Sequence, residues 1–146
     1  MKRLSVTCVA IVLALPFVAL CDDAKKDEPK VDGTWLAKKA ELGGKKLPTK
    51  VTESLKLTLK NEEYEVVAES PDRGTVKYDN AADPKTMDIK GVEGPNKDKT
   101  ILAIYELKDD KLTICYDLSG KARPTEFKTA ANTKLFLVTY ERKKPE

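Results

Sequence analysis

The feature that most constrains this chain is the recurrence of short segments in which apolar and polar side chains alternate. In Leu55-Lys56-Leu57-Thr58-Leu59-Lys60 the leucines fall on one face and the polar residues on the other, the period of a half-buried β-strand. The longest coherent stretch, residues 94–127, reads as a hairpin followed by a basic loop. Residues 100–107 form one strand, Lys108-Asp109-Asp110 the turn and residues 111–117 the return. Ile101, Ala103, Tyr105 and Leu107 then share a face with Leu112, Ile114 and Tyr116.

Similar patterning predicts strands from Gly33-Thr34-Trp35 to Ala40, over 51–60, 64–68, 74–78 and 86–90, and over 134–142. No segment carries an apolar repeat long enough for a packed helix. Consecutive strands usually pair, which gives an antiparallel meander. Eight strands with one apolar face close most economically into an all-β, eight-stranded antiparallel up-and-down barrel, because closure removes exposed edges. A two-sheet β-sandwich satisfies the same alternation.

The N-terminus is of another kind. Lys2 and Arg3 precede an apolar run to Leu20, and Ala19-x-Cys21 puts small residues at the −3 and −1 positions of a cleavage site. Residues 1–21 therefore read as a signal peptide, too short for a spanning helix. The alternative is a lipoprotein acylated at Cys21, which alone would bring the domain to a membrane. Residues 22–31 read as a charged flexible linker, 32–142 as the barrel and 143–146 as a frayed tail. Export to the periplasm or beyond follows from the leader.

Charge and residue types exclude several functions. Loss of the leader leaves 25 basic side chains against 24 acidic ones, so the balance gives no support to nucleic-acid binding. The chain has no histidine, and Cys115 is the one cysteine left in the domain. That rules out an internal disulfide and a zinc site, and leaves the thiol without an imidazole base for catalysis. Residues 91–99 lack the Gly-Lys-Ser/Thr ending of a phosphate loop, and neither Asp109-Asp110 nor Asp79/Asp83 fits a calcium loop. No cofactor is expected, and no enzymatic constellation can be assembled.

Gly33-Thr34-Trp35 resembles the Gly-x-Trp signature of lipocalins and the Gly-Thr-Trp of avidins, families of the calycin group. The resemblance implies that Trp35 plugs one barrel end and that a late basic residue, here Arg142, covers it by a cation–π contact. A longer resemblance links residues 32–142 to a family of secreted lipocalin-like domains, abundant in planctomycete bacteria, with no established activity. It is carried by Asp32-Gly33-Thr34-Trp35, Gly94-Pro95-Asn96-Lys97-x-Lys99-Thr100, Ile104-Tyr105-Glu106-Leu107, Leu112-x-Ile114-Cys115 and Arg123-Pro124-Thr125-Glu126-Phe127. Asp98 and Ala103 stand where that family leads us to expect glycine.

By alternation Tyr64, Tyr78, Tyr105, Tyr116 and Tyr140 all point inward, together with Met87. They either fill the barrel, as dense packing favours, or line a pocket for a small apolar or amphipathic ligand. Arg123 and Phe127 read as a latch, with Arg123 paired to a carboxylate and Phe127 over a barrel end. The expected function is ligand binding. The alternative is an envelope protein-interaction module acting through loops 91–99 and 119–133.

Overall fold

Alternation is realised as a single sheet that closes on itself. The structure is a computed structural model and describes residues 30–145. The elements in chain order are β1 (Gly33–Leu42), β2 (Lys45–Lys46), α1 (Thr49–Ser54), β3 (Lys56–Lys60), β4 (Glu63–Val67) and β5 (Asp72–Asp79). They continue with β6 (Lys85–Glu93), β7 (Thr100–Lys108), β8 (Lys111–Asp117) and β9 (Leu135–Arg142). β1 pairs antiparallel with both β3 and β9, so β1 and β3 to β9 form a closed eight-stranded barrel, and the sandwich alternative falls away. β2 is a two-residue arm on the end of β1. The leader and most of the linker read from the sequence lie outside the described residues.

Three local differences from the sequence expectation have physical causes. Residues 49–54 are helical rather than the start of a strand. Their alternation begins only at Leu55, and Pro48, with its fixed φ, stands at the N-cap. β1 ends at Gly43 and Gly44, but these do not lead into a loop; both take positive φ and fold a short strand not expected from sequence, β2, back onto β1 as a tight hairpin. In β1 the register against β9 slips between Ala37 and Lys39. This bulge inserts one residue, so Lys38 and Lys39 both face solvent while Trp35, Ala37 and Ala40 are all buried. Strand edges also move: β6 takes in residues 91–93, which the sequence assigns to a loop, and β5 begins at Asp72 rather than at Gly74.

The core sits inside the barrel. Trp35, Leu59, Met87, Leu112, Ile114 and Val138 are its largest fully buried side chains. At one end Trp35 donates from Nε1 to the Val31 carbonyl at 2.9 Å, and the Arg142 guanidinium lies 4.2 Å from the centre of its ring. Arg142 also donates to the carbonyls of Asp32 (2.7 Å) and Lys30 (2.9 Å) and meets Asp110 at 3.2 Å. Lys30 and Val31, assigned to the linker by sequence, are thus fastened to the barrel. Gly33 has φ +146°, and a Cβ there would stand 2.6 Å from an Arg142 nitrogen. The glycine of Gly-x-Trp is therefore needed to let the arginine pass over the tryptophan.

A second buried group lies on the outer wall. Ile104 and Cys115 face each other across β7 and β8 and are buried although they point away from the interior. The connection between β8 and β9 covers them as a strap. Asp117 ties its start, accepting from Ser119 Oγ and from the backbone N–H groups of Ser119, Lys121 and Ala122. Burial pushes the Asp117 pKa up, but these hydrogen bonds outweigh it and hold the carboxyl below its usual value. Arg123 pins the middle, pairing with Asp88 and donating to the carbonyls of Met87 (3.2 Å) and Ala103 (2.8 Å). The Cys115 thiol meets the Lys128 carbonyl at 3.6 Å, and Thr129 bonds Glu41 and the Gly44 N–H.

Candidate functional site at the open end of the barrel

Strand direction puts the ends of β4, β6 and β8 and the starts of β3, β5, β7 and β9 at the end of the barrel opposite Trp35. Here the interior is not filled. A cavity of about 210 Å³ opens between Leu55, Val66, Leu118 and Phe136 and reaches down to Leu59, Met87 and Ile114. Its walls are largely apolar because most inward residues of these strands are Leu, Ile, Val, Met or aromatic. The expectation of a completely filled interior is corrected by this space. Gly74 and Gly91 lie side by side in β5 and β6 where the backbone closes in, since a Cβ would stand 1.9 Å from the Lys90 carbonyl oxygen at the first and 1.9 Å from that of Asn96 at the second. Gly74 is paired with Tyr64, and a Cβ on it would come within 2.8 Å of that ring.

The inward tyrosines divide between the two ends. Tyr64, Tyr116 and Tyr140 line the cavity, as does Met87. Tyr78 and Tyr105 instead pack edge to face, with ring centres 5.8 Å apart, beside a more polar hollow at the Trp35 end. Tyr105 donates to Asn80 there, and the buried Tyr78 hydroxyl has no hydrogen-bond partner among the described residues. In the cavity wall the Tyr116 and Tyr140 hydroxyls lie 3.1 Å apart, and the Tyr116 ring stacks on Phe136 at 5.8 Å. Burial pushes the Tyr140 pKa up to about 12, and burial followed by the neighbouring Tyr140 pushes Tyr116 up as well. Tyr64 is raised by burial and then by the charge of Asp72.

Two polar residues at the mouth were not expected from sequence. Asp72 is 7% exposed and Asn96 half-buried, and both line the cavity. The Asp72 carboxylate accepts from the Asn96 side-chain amide at 2.6 Å, from its backbone N–H at 3.3 Å and from the Tyr64 hydroxyl at 3.3 Å. Asn96 is delivered by the loop after β6, which folds back so that Asp98 N–H donates to the Gly91 carbonyl at 3.0 Å. That fold requires φ +62° at Asp98, where the family resemblance implies a glycine. Asp72 follows Pro71 and reads as a turn residue. The signal that could have placed it was parity, since counting back from Tyr78, Val76 and Gly74 puts Asp72 inward.

The latch residues lie on the outer wall. Arg123 meets its carboxylate, Asp88, across β6 and β7. Phe127 is half-buried beside Lys128, whose carbonyl faces Cys115 on the outside of β8, and it is not part of the interior cluster. It is not among the residues packed on the interior core, so the barrel-end cover expected of it is not seen. Among the described residues nothing brings a nucleophile, base and orienting group together in the cavity; it offers an apolar enclosure, three phenol hydroxyls, one amide and one carboxylate. Comparisons with protein-family models, with characterised proteins and with solved structures gave no significant match.

Proposed function

We propose that this barrel is an exported, non-enzymatic binding module that carries one small apolar or amphipathic ligand in the cavity at its open end. The observation that supports it is the cavity itself, about 210 Å³ of apolar space below a polar mouth. That volume is below the roughly 300–1,000 Å³ of sites for drug-sized molecules, which points to a compact ligand. The division of labour between barrel ends supports the same reading. One end is fixed by Trp35 and Arg142, while the other is framed by α1, the turn before β5 and the loop after β6. The leader read from residues 1–21 supports export.

Uptake of an environment-sensitive apolar fluorophore by the native protein tests this reading. Leu118 lies at the mouth, half-buried and just past the end of β8, so Leu118→Trp should block entry with little disturbance of the deeper core. Saturable uptake by the native chain, lost in Leu118→Trp, is the expected result. Absence of uptake, or uptake that Leu118→Trp leaves unchanged, contradicts it.

A further inference from the structure

Among the residues that line the cavity the one formal charge is negative; on the rim, Lys99 is engaged with the Pro95 carbonyl at 2.9 Å. Asp72 is the one ionisable acid or base, tyrosines aside, among the residues lining the cavity, which include no lysine or arginine. Among the described residues it makes no ion pair; Arg73, its neighbour in sequence, is turned outward to Glu65 at 2.7 Å and Glu93 at 3.5 Å. Its partners, the Tyr64 hydroxyl and the two Asn96 donors, are all neutral. A carboxylate offers about four acceptor positions, and three donors occupy it, so one remains. A buried anion held by neutral dipoles alone leaves its field uncompensated, and a low-dielectric surrounding strengthens that field. An anionic headgroup would be repelled from this mouth. A cation would gain the carboxylate, beside which the Tyr64 hydroxyl is already held.

We propose that the ligand of this cavity is a small organic cation: an ammonium headgroup seated at Asp72 with its apolar body between Leu57, Ile89 and Ile114. The proposal rests on the cavity being a binding site and adds the charge of what it binds. A purely structural role for Asp72, holding the loop after β6 to the turn before β5, predicts no preference for cations.

Calorimetric titration of the native protein at neutral pH with three probes of matched shape separates these. The probes are 2-phenylethylammonium, 2-phenylethanol and 3-phenylpropanoate. The ammonium is expected to bind at least about tenfold more tightly than the alcohol, and the carboxylate more weakly than either. Asp72→Asn should bring ammonium and alcohol to within about threefold, and Leu118→Trp should remove ammonium binding. If Asp72→Asn does not fold, the ranking of the three probes on the native chain decides the matter. Equal binding of ammonium and alcohol, or tighter binding of the carboxylate, overturns the cation assignment while leaving the cavity as a binding site. Ammonium binding that survives Leu118→Trp places the cation elsewhere and also overturns it. No binding of any probe contradicts both this assignment and the binding role.

Discussion

At the scale of single residues, the barrel is anchored by a tryptophan that has given up all contact with water. Trp35 is 0% exposed, hydrogen-bonded through its indole and covered by Arg142. Trp35→Ala would leave a large void that a closed sheet cannot collapse to fill, at a cost of about 3–5 kcal/mol. Denaturant unfolding followed by circular dichroism measures it, and a loss below about 1 kcal/mol would contradict the plug role. The buried tyrosines make a separate prediction. Tyr140 keeps its proton up to about pH 12 in the fold because burial disfavours the phenolate, whereas in the unfolded chain it ionises near 10.0. Its contribution to stability is therefore whole below about pH 10 and lost as the pH rises through about 12. An alkaline titration should show tyrosinate absorbance rising late and together with loss of β-sheet signal. Early, independent ionisation of all five tyrosines would contradict their burial.

At the scale of elements, the strap between β8 and β9 behaves as a cover whose fastening is local. Arg123 joins it to β6 and β7, and beneath it the Cys115 thiol is 0% exposed, its pKa pushed up by burial. Arg123→Ala should lift the strap without opening the barrel, so that Cys115 reacts with a thiol reagent at least about tenfold faster while the thermal midpoint falls only by a few degrees. Unchanged reactivity would show that Arg123 does not hold the strap. Elements differed in how far sequence revealed them. Strands in which every second residue is apolar, such as β3, β7 and β8, were legible because the inward face must be dry. α1 and the bulge after Ala37 were not. A six-residue helix carries too short an apolar period to register, and a bulge appears in sequence only as a break in phase among lysines and alanines. The inward set of tyrosines was legible for the same reason as the strands. Their division between the two barrel ends was not, because parity gives the face and only register gives the height. Asp72 and Asn96 escaped because polar residues beside proline and glycine look like turn chemistry until the sheet is closed.

At the scale of the whole molecule, closure sets up an asymmetry on which the functional reading depends. The first and last strands of the barrel pair with each other, so the termini of the domain meet at the Trp35 end and tie it shut. The opposite end is framed by turns and a short helix, and there the interior holds the cavity. The central claim is that this cavity is occupied in the working protein by a small molecule. Native mass spectrometry of protein purified from its source without refolding tests it most directly. We predict a reproducible extra mass that disappears on denaturation and is missing from Leu118→Trp. A clean apo mass, together with no uptake from an extract of the source envelope, would contradict the account.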